Sequence, residues 1–224
     1  MKLQILKFAA FLVMFSIIMI SCNQSRQGKP NVLVFTKTAG YHHNSIKDGI
    51  KALQKLANEN DFKIDTTSIA NIFTQDSLKK YATVIFLNTT GDLLNYREQA
   101  EFQKYIEAGG GYLGIHAAVD AEYNWPWYGK LVGAYFKNHP KIQEASLNLK
   151  TDSNFKVIES LPNPWNRTDE WYNFKEIPHD VHVLASIDEK SYEGGNNGEN
   201  HPMVWYHEFD GGRSYGTRTY SRVL

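Results

Sequence analysis

Gly109-Gly-Gly-Tyr-Leu-Gly-Ile-His-Ala-Ala118 decides the fold. Gly109 supplies a left-handed helix stop, Tyr112 to Ile115 form a short buried strand, and the turn that follows presents His116. A polar group at the carboxyl end of a parallel strand is where open α/β folds place their chemistry. Gly114-Ile-His116-Ala-Ala118 has the small-x-X-x-small spacing of a nucleophile elbow, where small flanking residues let a strained turn expose the central side chain. Here that side chain is an imidazole. The alternative is a Gly-rich strand whose histidine is hydrogen-bonded in the core.

Working outward, the pattern alternates as a parallel sheet requires. Val32-Leu-Val-Phe35 and Val84-Ile-Phe-Leu87 are continuous apolar runs suited to strands covered on both faces. Phe62 to Thr66 reads as a further strand. Ser45, with Asp48 three residues on, predicts a capped helix with Ile46, Ile50, Leu53, Leu56 and Ala57 on one stripe. Thr74 opens a short helix, and Asn95 caps another whose Phe102, Tyr105 and Ile106 face inward. Sequential βα units with right-handed crossovers give a doubly wound, mostly parallel α/β sheet. Beyond Asp120 the texture becomes aromatic-rich and antiparallel, with strands expected at Ala145 to Lys150, Val181 to Ser186 and Met203 to Phe209. Asp210-Gly-Gly212 reads as a hairpin turn.

This register decides which residues meet. The loop after the first strand, Thr38-Ala-Gly-Tyr-His-His43, shares a sheet edge with the turn after Ile115, so His42 or His43 is expected to approach His116. Asp120 lies one helical turn beyond His116 and is expected to orient its imidazole or, alternatively, to cap a helix. Asn88-Thr-Thr90 closes the Val84 strand at the same edge. Gly109-Gly-Gly111 precedes a strand and lacks the G-x-G-x-x-G spacing, which excludes a dinucleotide fold.

Lys2 and Lys7, the uncharged run Phe8 to Ile20, and Met19-Ile-Ser-Cys22 predict a lipoprotein signal peptide over residues 1–21. Cys22 then becomes the lipidated first residue of a tether over 22–30, on a protein expected at the outer membrane facing the periplasm. Cys22 is the only cysteine, so a disulfide within the chain or a thiolate nucleophile is excluded. The 24 basic and 24 acidic residues balance, and removing residues 1–21 takes away two lysines and no acid. Nucleic acid is therefore not an expected partner.

Val34-Phe-Thr-Lys-Thr-Ala-Gly-Tyr-His-His43, Gly114-Ile-His-Ala-Ala118, Trp125-Pro-Trp-Tyr128, Leu131-Val-Gly-Ala134, Asp169-Glu-Trp-Tyr172 and His201-Pro-Met-Val-Trp-Tyr-His207 together resemble the ThuA-like, or trehalose-utilisation, family. The resemblance implies a flavodoxin-like sheet of the class I glutamine amidotransferase type. Where those amidotransferases carry a nucleophilic cysteine, His116 stands here, so thioester chemistry is not inherited with the fold. The family name implies disaccharide breakdown, in which sugars are oxidised to 3-keto derivatives. Family members continue after Gly-Gly-Arg213 with a strand, a Gly-His-Thr turn and a final helix. The stretch Ser214 to Leu224 departs from that pattern, so the 31–224 domain is expected to lack an edge strand and its covering helix.

Catalysis is assigned to His43, His116, Asp120 and Glu170, acting as acids and bases on a polyol. A 3-keto sugar has an acidified C2 proton, so elimination or isomerisation needs no strong nucleophile; hydrolysis is the third reaction class open. Substrate contacts are expected from Trp125, Trp127 and Trp171 stacking on sugar faces, with core packing as the alternative, from His139 and His201, with loop structure as the alternative, and from Asp169 and His207. His43, His116 and Glu170 also suit an open three-ligand site for Zn, Mn or Fe, and no other cofactor is indicated. A non-catalytic carbohydrate-binding lipoprotein using the same cleft is the second reading.

Overall fold

The computed structural model describes residues 28–150, 158–177 and 179–217. Five strands form a parallel half-sheet: β1 (Asn31–Phe35), β2 (Lys63–Thr67), β3 (Thr83–Leu87), β4 (Gly111–Ile115) and β11 (Gly212–Thr217). The sheet continues antiparallel through β10 (His201–Phe209), β9 (His182–Ile187), β6 (Gln143–Leu149) and β7 (Trp165–Asp169). The full order is β2-β1-β3-β4-β11-β10-β9-β6-β7, beside a small pair of β5 (Phe136–Asn138) and β8 (Asn173–Phe174). This is the mostly parallel α/β architecture with antiparallel additions that the sequence predicts.

Burial on both faces explains the apolar strands. On β1, Leu33 and Phe35 face one core with Phe73, Phe86 and Phe102, while Val34 faces the other with Leu53, Ile85 and Leu87. Helix α1 (Ile46–Glu59) covers the second core; α2 (Gln75–Leu78) and α3 (Tyr96–Glu107) lie in the first. Asn95 makes the full capping box with Glu98, and Gly109 stops α3 at φ +91°. Two local expectations fail. Ser45 makes no cap bond, because its hydroxyl instead accepts from Asn88 Nδ2 at 2.7 Å, and Leu56 sits at the margin of the apolar stripe, exposed.

The expected loss of an edge strand is corrected by β11. Residues 212–217 insert in parallel beside β4 and pair antiparallel with β10, so β4 is an interior strand. Alternation explains the fit, since Gly212, Ser214 and Gly216 are buried while Arg213, Tyr215 and Thr217 are less so. The reversal into β11 places Asp210 at φ +50° and Gly211 at φ +88°, the two positive angles of a tight hairpin. Residues 1–27, which hold the expected signal peptide and Cys22, and residues 218–224 lie outside the described residues. Among the described residues no helix is long and apolar enough to cross a membrane.

Candidate functional site

The loops after β1, β3 and β4 are laced together at the carboxyl edge of the parallel half-sheet. Thr90 O accepts from Ala39 N at 2.7 Å and Gly40 N at 3.2 Å, and Thr90 Oγ1 donates to Tyr41 O at 2.8 Å. Gly91 sits at φ +77° where a Cβ would lie 2.8 Å from Gly40 N, so only glycine lets these loops approach. Gly91 N then donates to Asp120 O, and the buried Glu122 carboxylate accepts the N–H groups of Leu93 and Leu94 and the Gln99 amide. The result is a rigid frame for side chains at positions 43 and 116.

His116 sits at φ +52°, a left-handed value uncommon for a residue with a Cβ, and opens a 3-10 turn through Val119. The small flanking residues have the predicted reason: a Cβ on Gly114 would meet Tyr112 Oη at 2.8 Å and Ala118 Cβ at 3.2 Å. The elbow is present, but it does not expose its imidazole. His116 is 0% exposed, because the chain from Glu170 to Tyr172 folds over it.

Around His116 the geometry is compact. Glu170 Oε2 lies 3.3 Å and Tyr172 Oη 3.0 Å from His116 Nε2, and the Tyr172 ring is 4.6 Å from the imidazole. The His43 ring meets that of His116 edge-on at 4.9 Å, with Tyr41 against its other side at 4.8 Å. Burial, then the neighbouring His116, pushes His43 down to about 4, so it is neutral at pH 7. The hydrogen bond from His116 holds the Glu170 carboxyl below its usual range, so it is ionised. A carboxylate needs a donor, which puts the proton of His116 on Nε2. Glu170 keeps a fifth of its side chain exposed and is the member that meets solvent. One ligand atom from each of His43, His116 and Glu170 lies within 4.8 Å of the others.

The remaining predicted residues divide. His139 stacks on Tyr172 at 5.8 Å and is exposed. The Asp120 carboxylate accepts from Tyr123 at 2.6 Å, while His116 Nε2 faces Glu170 and Tyr172. Burial raises the Asp120 carboxyl. Asp169 is buried against Arg167 Nη2 at 3.0 Å and receives the Glu170 N–H at 2.9 Å, so it anchors the backbone under Glu170. Trp171 is fully buried with its indole N–H on Gln143 O, closed to any sugar. Trp127 stacks with Trp125 at 5.0 Å and donates to Asp210 in the turn before β11. That turn lies at the start of β4, the far end of the sheet from His116.

His201 and His207 are also corrected from contact to support. His201 lies between Glu189 Oε1 and Tyr172 O, 2.8 Å from each, and props the backbone of Tyr172. His207 Nε2 donates to Leu131 O at 2.9 Å beneath α4 (Pro126–Val132). Tyr172 is the residue that reading by chemistry missed. It stands at the end of Asp169-Glu-Trp-Tyr172, where the alternation that buries Trp171 and Tyr172 among different neighbours gives no sign of which one reaches the elbow.

Residues 31–219 match the family described as ThuA, trehalose utilisation. A ThuA-like protein from Bacteroides uniformis ATCC 8492 superposes with a TM-score of 0.70 at 24% identity, covering 89% of this chain and 85% of that one. A second, from Parabacteroides merdae ATCC 43184, gives 0.69 at 21% identity, covering 85% and 79%. At these identities the likeness shows the fold. No curated protein matches the chain.

Proposed function

This chain belongs to the ThuA family of trehalose utilisation, and we propose that it takes part in disaccharide breakdown by acid–base chemistry on oxidised, 3-keto glycosides. The observation that carries this reading is the ionised, partly exposed Glu170 carboxylate held 3.3 Å from a buried imidazole on a strained elbow. Buried polar groups on strained backbone are costly and persist where the surroundings over-determine them, as at reaction centres.

The ketone at C3 acidifies the proton on C2. Glu170 takes that proton, and the C2–H electron pair forms the C1–C2 double bond as the C1–O bond breaks. The departing glycosidic oxygen then receives the proton that Glu170 accepted. His116 keeps the carboxylate ionised and aimed, and Tyr172 braces His116. Positioned proton transfer of this kind is worth about 10²–10⁴-fold in rate. We place the protein on a membrane facing the periplasm through lipid on Cys22, a location tested by Cys22→Ala: release from the membrane fraction or an unprocessed precursor supports it, and a mature lipid-modified mass overturns it.

The test of function is incubation with paired native and 3-keto disaccharides. Cleavage confined to the keto forms and lost in Glu170→Gln is the expected result. Tight binding without turnover makes the chain a carbohydrate-binding protein instead.

A further inference from the structure

We propose that His43, His116 and Glu170 bind one divalent transition-metal ion, of the Zn, Mn or Fe class, which takes the place of the proton between His116 and Glu170. The inference rests on the functional reading above for its location and adds a cofactor to it. The donors are two imidazoles and a carboxylate brought to one place, with His116 Nε2 facing Glu170 Oε2. Bonds of about 2.0–2.1 Å to a tetrahedral ion separate two ligand atoms by roughly 3.3–3.4 Å. His116 Nε2 and Glu170 Oε2 stand 3.3 Å apart, and the third donor completes a group spanning no more than 4.8 Å. The two imidazole rings lie 4.9 Å apart and cross at 86°.

Two nitrogen donors favour transition metals over Ca²⁺ or Mg²⁺, which select oxygen. Three protein ligands leave a position open, the pattern of a catalytic site; a closed structural site has four. The support is of the kind such sites carry. Asp169 anchors the backbone of Glu170 and the laced loops hold the chain at His43, while an ion on His116 Nε2 takes the place of the Tyr172 hydrogen bond at that nitrogen. A carboxylate bound through one oxygen keeps its other for the C2 proton, so Glu170 serves both purposes. The ion supplies positive charge where the ketone oxygen gains negative charge.

The experiment strips the purified protein with chelator, then titrates Zn²⁺, Mn²⁺, Fe²⁺ and Ca²⁺ calorimetrically, with Co²⁺ as an absorbance probe. One Zn²⁺, Mn²⁺ or Fe²⁺ per chain, Ca²⁺ at least tenfold weaker, and a Co²⁺ spectrum of low coordination number are expected. His43→Ala and Glu170→Gln should each weaken Zn²⁺ binding at least tenfold, whereas His182→Ala, at an exposed histidine on β9, should leave it unchanged. Failure of stoichiometric binding, or equal binding in both site variants, overturns the metal site. Full turnover of a 3-keto disaccharide by the stripped protein also overturns it and leaves the acid–base reading intact. Stoichiometric, site-dependent binding without turnover of any keto sugar sustains the metal site and removes the functional reading.

Discussion

Two pairs of buried histidines separate the working edge of this molecule from its scaffold. His201 and His207 each set a ring nitrogen on a backbone carbonyl, those of Tyr172 and Leu131, and they fasten β10 to the chain packed over it. His43 and His116 meet each other and a partly exposed carboxylate, from loops laced at the carboxyl edge of the parallel strands. Burial is nearly the same in both pairs. What differs is the partner and the backbone: only His116 among the four sits at positive φ. His201 also meets a carboxylate, Glu189 at 2.8 Å, so we read the paired rings of His43 and His116 and the strained turn at His116, not a carboxylate partner alone, as the mark of the candidate site.

The sharpest way to break this division is Glu170→Gln. Turnover of a 3-keto disaccharide should fall about 10²–10⁴-fold with a melting temperature within a degree or two of wild type, read by product chromatography and calorimetry. A large loss of stability with activity kept would move Glu170 and His116 into the scaffold class.

His201→Leu should do the reverse. Removing the imidazole takes away its N–H donor and its contacts with Glu189 and the Tyr172 carbonyl, which costs about 2 kcal/mol and lowers the melting temperature by roughly 4–8 °C for a domain of this size. An unchanged melting temperature would mean that His201 bears no structural role.

A subtler contrast lies in pH. Burial lowers the pKa of His207 below its ordinary 6.5. The unfolded chain therefore takes up this proton first, and stability is present above about 6.5 and declines as pH falls below it. His207→Gln keeps a donor for Leu131 O without a titrating group, so its melting temperature should fall less than that of wild type between about pH 7.5 and 5.5. Parallel curves for the two proteins would contradict a neutral, buried His207.

Asp120→Asn has the smallest expected effect. Asparagine still accepts from Tyr123, and turnover should stay within about threefold of wild type. A loss matching that of Glu170→Gln would return the orienting role to Asp120.

Much of this edge was legible in the sequence. Continuous apolar runs located β1 and β3, Gly109 and Asn95 bounded α3, and the small residues around His116 marked the elbow because their steric reason is local. Bringing His43 to His116 followed from strand order alone. The antiparallel half was less legible, since which face a residue occupies there depends on pairing across long connections. Trp171 and Tyr172 are adjacent, yet one closes on Gln143 and the other on His116. Trp127 and His207 were expected as substrate contacts because their types suit a sugar, and only the fold shows that their polar atoms are engaged with Asp210 and Leu131.

The central claim, that the His43–His116–Glu170 edge removes a proton beside a ketone, is tested most directly by proton NMR of a 3-keto glucoside in D₂O. Wild-type protein should erase the C2 proton signal far faster than the uncatalysed exchange, and Glu170→Gln should reduce that rate at least a hundredfold while His182→Ala leaves it unchanged. Retention of the C2 signal with wild-type protein, or equal exchange by the Glu170→Gln variant, would contradict the account.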